Sequence, residues 1–443
     1  MRGDSEAGMT DDVLPIQPAY WPIRGEPRIP GSKSITNRAL ALAAFACGES
    51  HLRGALFSDD TLLMVKALRD LGIQVETSPS DHSITVHGCA GVLPAQHARI
   101  YVGNAGTVAR FVTALASVGR GTFTLDGSER MRERPMGPLL RALGALGVQA
   151  ESVAGSDCPP ILICTTGLPG GAVTVEADVS SQFLSGLLMA APYARSTLEI
   201  SVPGPLSSEP YVAMTIRMMQ DWGLRVFEER EGTARRYRVP APQLIEGRQY
   251  TIEPDATAAS YFMAAAVIMG GSVRIRGLGR SSLQGDVAFA DVLRTMGAGV
   301  DFAEDILTVT GTDALRGVSV DMNAISDTVM TLAAIAPFAE SPTRIRNVAH
   351  IRYKECDRIE ATATELRRLG LRVLTHPDGL TVYPGTPRGA PVETYNDHRI
   401  AMSLALVGLR TPGVLLRNPS CVSKTFPDFF AELQRLSDPP VEM

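Results

Sequence analysis

Polar and apolar residues along this chain follow a repeated pattern that predicts an amphipathic helix, a glycine and then a short strand. The pattern occurs as MVKALRDLGIQVE, LLRALGALGVQAE, MTIRMMQDWGLRVFE, FADVLRTMGAGVDF and ATELRRLGLRVL. The glycines are Gly72, Gly147, Gly223, Gly297 and Gly370, at spacings of 75, 76, 74 and 73 residues. FFAELQRLS near the end is a shortened sixth copy. This period predicts six similar structural units.

A second helix, apolar on nearly every face, occurs once per unit and should be buried. The six segments are ALALAAFACGES, RFVTALASVGRG, FLSGLLMAAPYA, YFMAAAVIMGG, VMTLAAIAPFAE and IAMSLALVGLRTPG. Residues that favour helix N-caps precede or begin them: Ser32 and Ser34, Asn104 and Thr107, Ser180 and Ser181, Asp255 and Thr257, Ser326 and Asp327, Asn396 and Asp397. A cap by itself only begins a helix. The recurrence of these residues at the repeat period favours six buried helices whose N-termini point the same way within each half.

The repeat is interrupted in two places, which predicts two halves of three units each. One interruption is the proline-rich segment 236–250, and the other is Pro30 and Gly31, after an initial strand. We expect one half to comprise residues 15–31 with 245–443 and the other residues 32–244, with a site in the cleft between them. Residues 1–14 should form a flexible tail, because they are acidic and have neither the basic region nor the apolar core of a secretion signal.

Composition narrows the class of protein. Of the 443 residues, 45% are hydrophobic and 20% are charged, as in folded globular proteins, which excludes disorder or a coiled coil as the main architecture. The net charge of −5 provides no general basic field for nucleic acid or a membrane surface. The six cysteines and seven histidines lack metal-site spacings, and no GxGxxG motif is present, so we expect reduced thiols, a cytoplasmic location and neither metal nor cofactor.

Cationic residues accompany the predicted helix N-termini, which predicts an anion-binding cleft. A helix N-terminus contributes only about 0.3 to 1 kcal/mol to binding of a negative charge, so side chains must supply the rest. The available cations are Lys33, Arg38, Arg110 and Arg399 beside the caps, and Arg130, Arg132, Arg134, Lys354, Arg358 and Lys424 in nearby loops. A cleft of like charges should repel itself, so we expect the halves to close when an anionic ligand enters.

Each motif, considered on its own, is weak evidence for a ligand site. PGSKSITNR, at 30–38, lacks the glycine that a P-loop has directly before its lysine, which disfavours a nucleotide triphosphatase. GNAGT, at 103–107, allows close approach of a ligand to the backbone but is a weak signal alone. RMRERP, at 130–135, and RYKECDRIE, at 352–360, would usually be solvated charged surfaces.

In combination and in this order, eight motifs closely resemble the 5-enolpyruvylshikimate-3-phosphate synthase family over about residues 15–435. They are PGSKSITNRAL, GNAGT, DGSERMRERP, VSSQFLSGLLMAAP, DMNAISD, RYKECDRI, YNDHRIAM and SKTFPDFF. The resemblance implies a two-domain, pseudo-symmetric α/β fold, an inside-out α/β barrel of six βαβαββ repeats with three per domain and buried helices. It also implies transfer of the enolpyruvyl group of phosphoenolpyruvate to the 5-hydroxyl of shikimate 3-phosphate, with release of phosphate, for aromatic amino acid biosynthesis. The family needs no cofactor, and we expect a monomer.

The resemblance also implies which residues bind the two substrates. Shikimate 3-phosphate would be held by Lys33, Ser34, Arg38, Ser180, Ser181, Ser208, Asp327 and Lys354. Phosphoenolpyruvate would be held by Lys33, Gly106, Arg130, Gln182, Arg358, Arg399 and Lys424, which suit one carboxylate and one phosphate. Lys33 would touch both substrates. Asp327 would take the hydroxyl proton, and Glu355, with Lys354 near it, would serve the methylene carbon. The family is the target of glyphosate, for which Gly106 would leave room.

Four residues depart from the family pattern. Phe111 stands in place of the usual Pro, Glu209 in place of Lys, His350 in place of Asn and Cys356 in place of Ser or Thr. Glu209 and His350 would lie near the shikimate phosphate, which leaves open a paralogue that acts on a related sugar or cyclitol.

Two further alternatives are less favoured. The UDP-N-acetylglucosamine enolpyruvyl transferases use a loop cysteine as an acid, and DGSERMRERP contains none. A non-catalytic anion-binding protein should have lost Asp327, Glu355 or the arginines, and all of them are present.

Overall fold

Twelve α-helices and twenty-three β-strands lie between residues 12 and 439, the part of the chain that the computed structural model describes. The helices are α1 Lys33–Phe45, α2 Asp59–Asp70, α3 Gly106–Ala116, α4 Gly137–Ala145, α5 Ser181–Ala190, α6 Glu209–Asp221, α7 Ala256–Ile268, α8 Phe289–Thr295, α9 Val329–Ile335, α10 Arg358–Arg368, α11 His398–Gly408 and α12 Phe429–Ser437. The strands are β1 Val13–Pro15, β2 Arg24–Gly25, β3 Cys47–Arg53, β4 Gln74–Ser78, β5 Ser83–Cys89, β6 His97–Tyr101, β7 Arg120–Asp126, β8 Gln149–Ser152, β9 Ile161–Thr166, β10 Gly171–Thr174, β11 Leu198–Val202, β12 Phe227–Glu231, β13 Ala234–Val239, β14 Gln249–Thr251, β15 Ser272–Arg276, β16 Gly299–Phe302, β17 Ile306–Thr310, β18 Ser319–Asp321, β19 Thr343–Arg346, β20 Val373–His376, β21 Gly379–Val382, β22 Pro391–Val392 and β23 Leu415–Arg417.

The strands form six small sheets, of which five have four strands and one plan, whereas the sixth, β1-β23-β22, has three strands. In the unit β6-α3-β7-α4-β8-β9, the spatial order is β6-β7-β9-β8, with β6 parallel to β7 and β9 antiparallel to both of its neighbours. The sheets β10-β11-β13-β12 and β18-β19-β21-β20 have the same order. The predicted βαβαββ repeat is therefore confirmed.

Strands at the two interruptions of the repeat complete sheets that are distant in sequence. β14 pairs in parallel with β3, whereas β2 pairs in parallel with β15 and β1 pairs antiparallel with β23. Residues up to 251 therefore belong to the half that begins at residue 32, and the boundary lies later than the predicted one at 245. Of the predicted flexible tail, residues 1–11 lie outside the described residues, but Val13–Pro15 is a paired strand and is not loose.

The two connections between the halves lie side by side. The amide of Ser32 donates to the carbonyl of Glu253, and the amide of Asp255 donates to the carbonyl of Pro30, each at 2.8 Å. Gly31 forms an antiparallel bridge with Pro254. α1 and α7 therefore both begin directly at this paired crossing.

Buried apolar side chains form two separate cores. One contains residues between 35 and 252, and the other contains residues 16–23 and 256–436. Every residue of α3, α7 and α11 is buried, as predicted for the apolar helices. α1 and α5 both pack on α3, and α7, α9 and α11 pack on one another. These helices form the centre of each half. No helix between residues 12 and 439 is long and apolar enough to span a membrane.

The five repeat glycines follow the ends of α2, α4, α6, α8 and α10 in the left-handed backbone region, with φ between 84° and 109°. An L side chain in that region is strained by roughly 1–2 kcal/mol. Glycine is therefore required there to end the amphipathic helix and turn the chain into the following strand.

We predict that Gly223→Ala lowers the stability of the protein by about 1 kcal/mol. The φ of Gly223 is +87°, and an added Cβ would meet no atom within 4 Å, so only backbone strain contributes. The matched control is Gly144→Ala inside α4, where an added Cβ also meets nothing within 4 Å. Because that backbone is helical, the control should be stabilised by about 0.5 to 1 kcal/mol. Thermal unfolding of both variants tests this, and equal melting temperatures would contradict it.

Candidate active site

A pocket lies between the two cores, and the first residues of the buried helices line much of it. Its walls come from both halves, with α1, α3, α5 and α6 on one side and α11 with the segment before α10 on the other. Thirteen of the fifteen site residues predicted from the sequence line this pocket: Lys33, Ser34, Arg38, Gly106, Ser180, Ser181, Gln182, Ser208, Asp327, Lys354, Glu355, Arg358 and Arg399.

The other two predicted residues, Arg130 and Lys424, lie next to the pocket and connect the halves. Arg130 donates from Nη2 to the carbonyl of Lys354 at 3.0 Å and from Nε to that of Glu355 at 3.1 Å. Lys424 Nζ donates to the carbonyl of Asn104 at 2.8 Å and lies 3.5 Å from Glu355 Oε1. Each cation therefore bridges elements that belong to different cores.

Side-chain caps order several of the helix starts around the pocket. Ser180 Oγ accepts from the amide of Gln182 at 3.2 Å, and Asp397 Oδ1 accepts from that of Arg399 at 2.9 Å. α3 differs, because Ala105 precedes it and no side chain of residues 12–439 caps its first amides. The expected cap pair Asn104 and Thr107 therefore does not cap α3. The uncapped amides of α3 give this wall of the pocket a positive potential.

Asp327 is the most heavily paired carboxylate of the pocket. Lys354 Nζ and Arg358 Nη1 lie 2.5 and 3.1 Å from Oδ1, and Arg399 Nη2 lies 2.8 Å from Oδ2. Burial on its own raises the pKa of Asp327, but the charges of Arg399, Lys354 and Arg358 outweigh burial and hold this pKa well below its usual range. Asp327 is therefore ionised. It lies in a short 3-10 turn before α9, so cations and not helix amides stabilise it, contrary to the sequence expectation of a helix cap.

Glu355 is a second buried carboxylate held by cations. Arg358 Nη2 lies 2.8 Å from Oε2, and Arg358 also donates from Nε to Asp397 Oδ2 at 2.8 Å. Burial raises the pKa of Glu355, but the charges of Arg358 and Lys424 prevail and hold it well below its usual range. The carboxylates of Asp327, Glu355 and Asp397 fix the guanidinium of Arg358. Because Arg358 is fixed, Glu355 is an ionised group with a defined orientation.

The premise that the cleft holds uncompensated like charges is wrong for several of its cations. Lys33 Nζ lies 3.3 Å from Asp60 Oδ2, and Lys424 Nζ lies 3.3 Å from Asp60 Oδ1. Asp60 and Asp397, which the sequence analysis did not place in the site, supply part of the missing negative charge. Asp60 is the second residue of α2, which begins after the N-cap Ser58. In the sequence, only this helix-start pattern indicates where Asp60 lies.

Arg110 and Arg134 were predicted to lie near the cleft but were left out of both ligand sets. Both line the pocket and are buried, and neither forms an ion pair with a carboxylate between residues 12 and 439. Arg110 donates to the carbonyl of Pro135 at 2.7 Å, and Arg134 donates to that of Asn104 at 2.9 Å. Burial lowers the pKa of each guanidinium, with the charge of Arg134 adding to the effect at Arg110. This uncompensated pair lies beside Gly106, at the uncapped start of α3.

Of the four departures from the family pattern, only His350 reaches the pocket. Its Nε2 lies 3.3 Å from Ser208 Oγ, and burial, followed by the charge of Lys354, lowers its pKa to about 3. Glu209 turns away and pairs with Arg230 at 3.0 Å, which removes it as a reason for an altered substrate. Phe111 is fully buried 5.1 Å from the guanidinium of Arg38, and Cys356 Sγ lies 3.5 Å from Asp397 Oδ2.

Tyr211 and Asp286 form a polar contact between the halves that the sequence analysis missed. Tyr211 Oη lies 2.9 Å from Asp286 Oδ2 and 3.3 Å from Asp327 Oδ2. Burial and then the charge of Asp327 raise the pKa of Asp286 to about 6. No local sequence pattern connects α6 with the turn that carries Asp286.

A family model and similar proteins of known name share one description. A family model described as EPSP synthase (3-phosphoshikimate 1-carboxyvinyltransferase) matches residues 19–433. The protein of Nostoc punctiforme named 3-phosphoshikimate 1-carboxyvinyltransferase is 46% identical over 419 residues, which cover 95% of this chain and 98% of that protein. The protein of the same name from Shewanella denitrificans is 43% identical over 417 residues, or 94% and 97% of the two chains.

Two solved structures are also similar. EPSP synthase from Acinetobacter baumannii superposes with a TM-score of 0.79 at 26% identity, over 96% of this chain and 98% of that one. The enolpyruvyl transferase NikO from Streptomyces tendae has a TM-score of 0.75 at 22% identity, over 96% and 98% of the two chains, and therefore shares the fold.

We predict that His350 makes the protein less stable in mild acid. The unfolded chain protonates this histidine below about pH 6.5, whereas the folded protein keeps it neutral to about pH 3, so stability falls as the pH drops through this range. Between pH 7 and pH 5, the loss should reach about 2 kcal/mol for this residue. Urea unfolding of His350→Asn should show a correspondingly smaller loss. His97→Asn, at an exposed position in β6, is the control and should behave as the wild type does.

Proposed function

This chain belongs to the EPSP synthase (3-phosphoshikimate 1-carboxyvinyltransferase) family, and we propose that the pocket between its two cores is the active site of that family's reaction. The enzyme transfers the enolpyruvyl group of phosphoenolpyruvate to the 5-hydroxyl of shikimate 3-phosphate and releases phosphate, a step of the shikimate pathway. The observation that carries the assignment of the site is Asp327, an ionised carboxylate surrounded by three cations where the two halves meet.

We assign the shikimate 3-phosphate side of the pocket to hydroxyls at helix starts and to the cations beside them. Ser181 and Ser208 are buried at the pocket wall, where their hydroxyls can bind phosphate oxygens. Arg38 is held rigidly, because its Nε donates to Thr215 Oγ1 at 2.7 Å. The full set is Lys33, Ser34, Arg38, Ser180, Ser181, Ser208, Asp327 and Lys354.

We assign the phosphoenolpyruvate side to the cations that connect the halves. Its carboxylate and phosphate together require several positive charges, and arginine can bind each group through two parallel hydrogen bonds. The set is Lys33, Gly106, Arg130, Gln182, Arg358, Arg399 and Lys424. Arg110 and Arg134 add unpaired charge behind Gly106. We therefore expect them to strengthen binding of the anion through the local potential.

The proposed chemistry has two steps, addition and then elimination. In the addition, Asp327 accepts the proton of the 5-hydroxyl, the oxygen bonds to C2 of phosphoenolpyruvate, and C3 receives a proton and becomes a methyl group. In the elimination, C3 returns that proton and the bond from C2 to the phosphate oxygen breaks. The hydroxyl proton finally leaves with the phosphate, so the enzyme returns to its starting protonation state.

Glu355 is the proposed group that exchanges a proton with C3. Because it is ionised in the structure, it must take up a proton before it can donate one, and Lys424 Nζ at 3.5 Å is the nearest lysine. Lys33 and Lys354 would stabilise the charge that develops on the substrates during both steps.

We also propose that the chain acts as a monomer in the cytoplasm, with two domains that move on substrate binding. One domain would comprise residues 15–31 with 253–439, and the other residues 32–252. Support comes from the two separate cores, each of which is complete within one of these sets. Light scattering at micromolar concentration tests the oligomeric state.

The test of the activity is to incubate the purified protein with shikimate 3-phosphate and phosphoenolpyruvate, and to follow phosphate release and the mass of the product. Equal amounts of phosphate and of the enolpyruvyl ether are expected. Absence of both products from a folded protein would refute the assignment.

Asp327→Asn and Glu355→Gln should each lose at least about 100-fold in kcat, since each removes a proton-transfer group. Binding of shikimate 3-phosphate, measured by calorimetry, should stay within several-fold of the wild type. The matched control is Asp60→Asn, which also removes a buried carboxylate between two cations but has no proposed proton transfer. The control should change the KM for phosphoenolpyruvate more than kcat. Near-normal kcat in either amide variant would remove that residue from the mechanism.

Gly106→Ala should weaken binding of phosphoenolpyruvate and, more strongly, inhibition by glyphosate. An added Cβ would overlap the guanidinium of Arg134 and lie 2.8 Å from Arg110 Nη1, so both arginines must move. Loss of a charged hydrogen bond corresponds to roughly a 10- to 100-fold change in affinity. The KM and the inhibition constant measure the two effects. An unchanged KM would show that the arginines tolerate the methyl group.

A further inference from the structure

Two of the six cysteines face each other across β3 and β5. Cys47 begins β3, Cys89 ends β5, and the two are direct partners in the antiparallel ladder. The amide of Ala90 donates to the carbonyl of Ala46 at 2.9 Å, which makes Cys47 and Cys89 a non-hydrogen-bonded pair. In such pairs both side chains lie on the same face, with Cα atoms about 4.5 Å apart. A disulfide spans Cα distances of about 4.4 to 6.8 Å, so the backbone separation typical of such a pair lies within the range that a disulfide can bridge.

The two cysteine side chains are half-buried. Both cysteines are free thiols of intermediate exposure, so a small reagent can reach them. The ring of Tyr193 stacks on Phe45 at 4.7 Å, and its buried hydroxyl has no hydrogen-bond partner among residues 12–439. Burial raises the pKa of the Tyr193 hydroxyl.

We propose that Cys47 and Cys89 form a thiol–disulfide exchange site, which a small disulfide such as oxidised glutathione converts into an intrachain disulfide. In the first step, the Cys47 thiolate attacks the reagent, forms a mixed disulfide and releases one small thiol. In the second step, Cys89 attacks the Cys47 sulfur and releases the other small thiol. The protein loses two protons and two electrons, which together make up two hydrogen atoms, and the reagent takes them up and is reduced to two thiols.

The burial of Cys89 favours Cys47 as the thiol that attacks first. Burial raises the pKa of Cys89 to about 11, so few Cys89 thiolates are available to attack a reagent in solution. The second step is intramolecular and requires no diffusion of a partner. Cys164 provides a contrast, because its partners across the sheet are Thr122 and Gln149 and it has no neighbouring cysteine in the ladder.

The disulfide would lie far from the proposed active site. Cys47 follows the end of α1, and Lys33 at its start is about 20 Å away along the helix. We therefore expect turnover to stay within twofold of the reduced enzyme. The bond would enclose residues 48–88 in a loop, so the oxidised form should unfold at a higher temperature. This inference does not depend on the proposed function.

The experiment incubates the intact wild-type protein with oxidised glutathione and measures its mass before and after addition of dithiothreitol. We expect a decrease of about 2 Da without an attached glutathione, reversal by dithiothreitol, and a peptide that joins Cys47 to Cys89 after digestion. Cys47→Ser and Cys89→Ser should abolish this product, whereas Cys164→Ser should retain it.

Three results would overturn the proposal: a wild-type protein that keeps all six thiols, a persistent glutathione adduct, or a disulfide between other cysteines. Because the mapping is done on the wild type, a folding defect in either serine variant would not affect the outcome.

Discussion

The buried ion cluster around Asp327 is the constraint on which the arrangement of the whole molecule depends. Removing a carboxylate and three cations from water costs several kcal/mol per ion, and only close and well-oriented pairing offsets this cost. The partners come from two parts of one half, Lys354 and Arg358 just before and at the start of α10, and Arg399 at the start of α11. Tyr211 of the other half also contacts the cluster, with its Oη 3.3 Å from Asp327 Oδ2, so the cluster lies where the helix starts of the two halves meet.

The local signals in the sequence were sufficient to predict the architecture. Each repeat glycine ends a helix because of its own backbone conformation, and each apolar helix is buried because it has no polar face. Neither property depends on a distant residue. The strand β14 and the early strand β1 were assigned less well, because each is short and is defined by a partner strand about 200 or 400 residues away.

The sequence predicted most of the residues that line the pocket, but it did not predict the contacts between them. The motifs identified thirteen residues that line the pocket, but they could not show which carboxylate neutralises which cation. Arg134 illustrates the difficulty. The pattern RMRERP is typical of a solvated charged surface, whereas in the structure Arg134 packs against Gly106 and donates to Asn104. Asp327 likewise has the appearance of a helix cap in the sequence, and its true partners lie 27 to 72 residues further along the chain.

The early strands also affect how the chain can fold during synthesis. β2 pairs with β15 and β1 pairs with β23, so both strands leave the ribosome long before their partners exist. The half built from residues 32–252 has all its strands by the time β14 emerges, and domains commonly fold as units as they appear. The other half must wait for nearly the last residue. Until then, the nascent chain carries one folded body between two unfinished ends, and β1 and β2 are exposed edges that need protection from wrong partners.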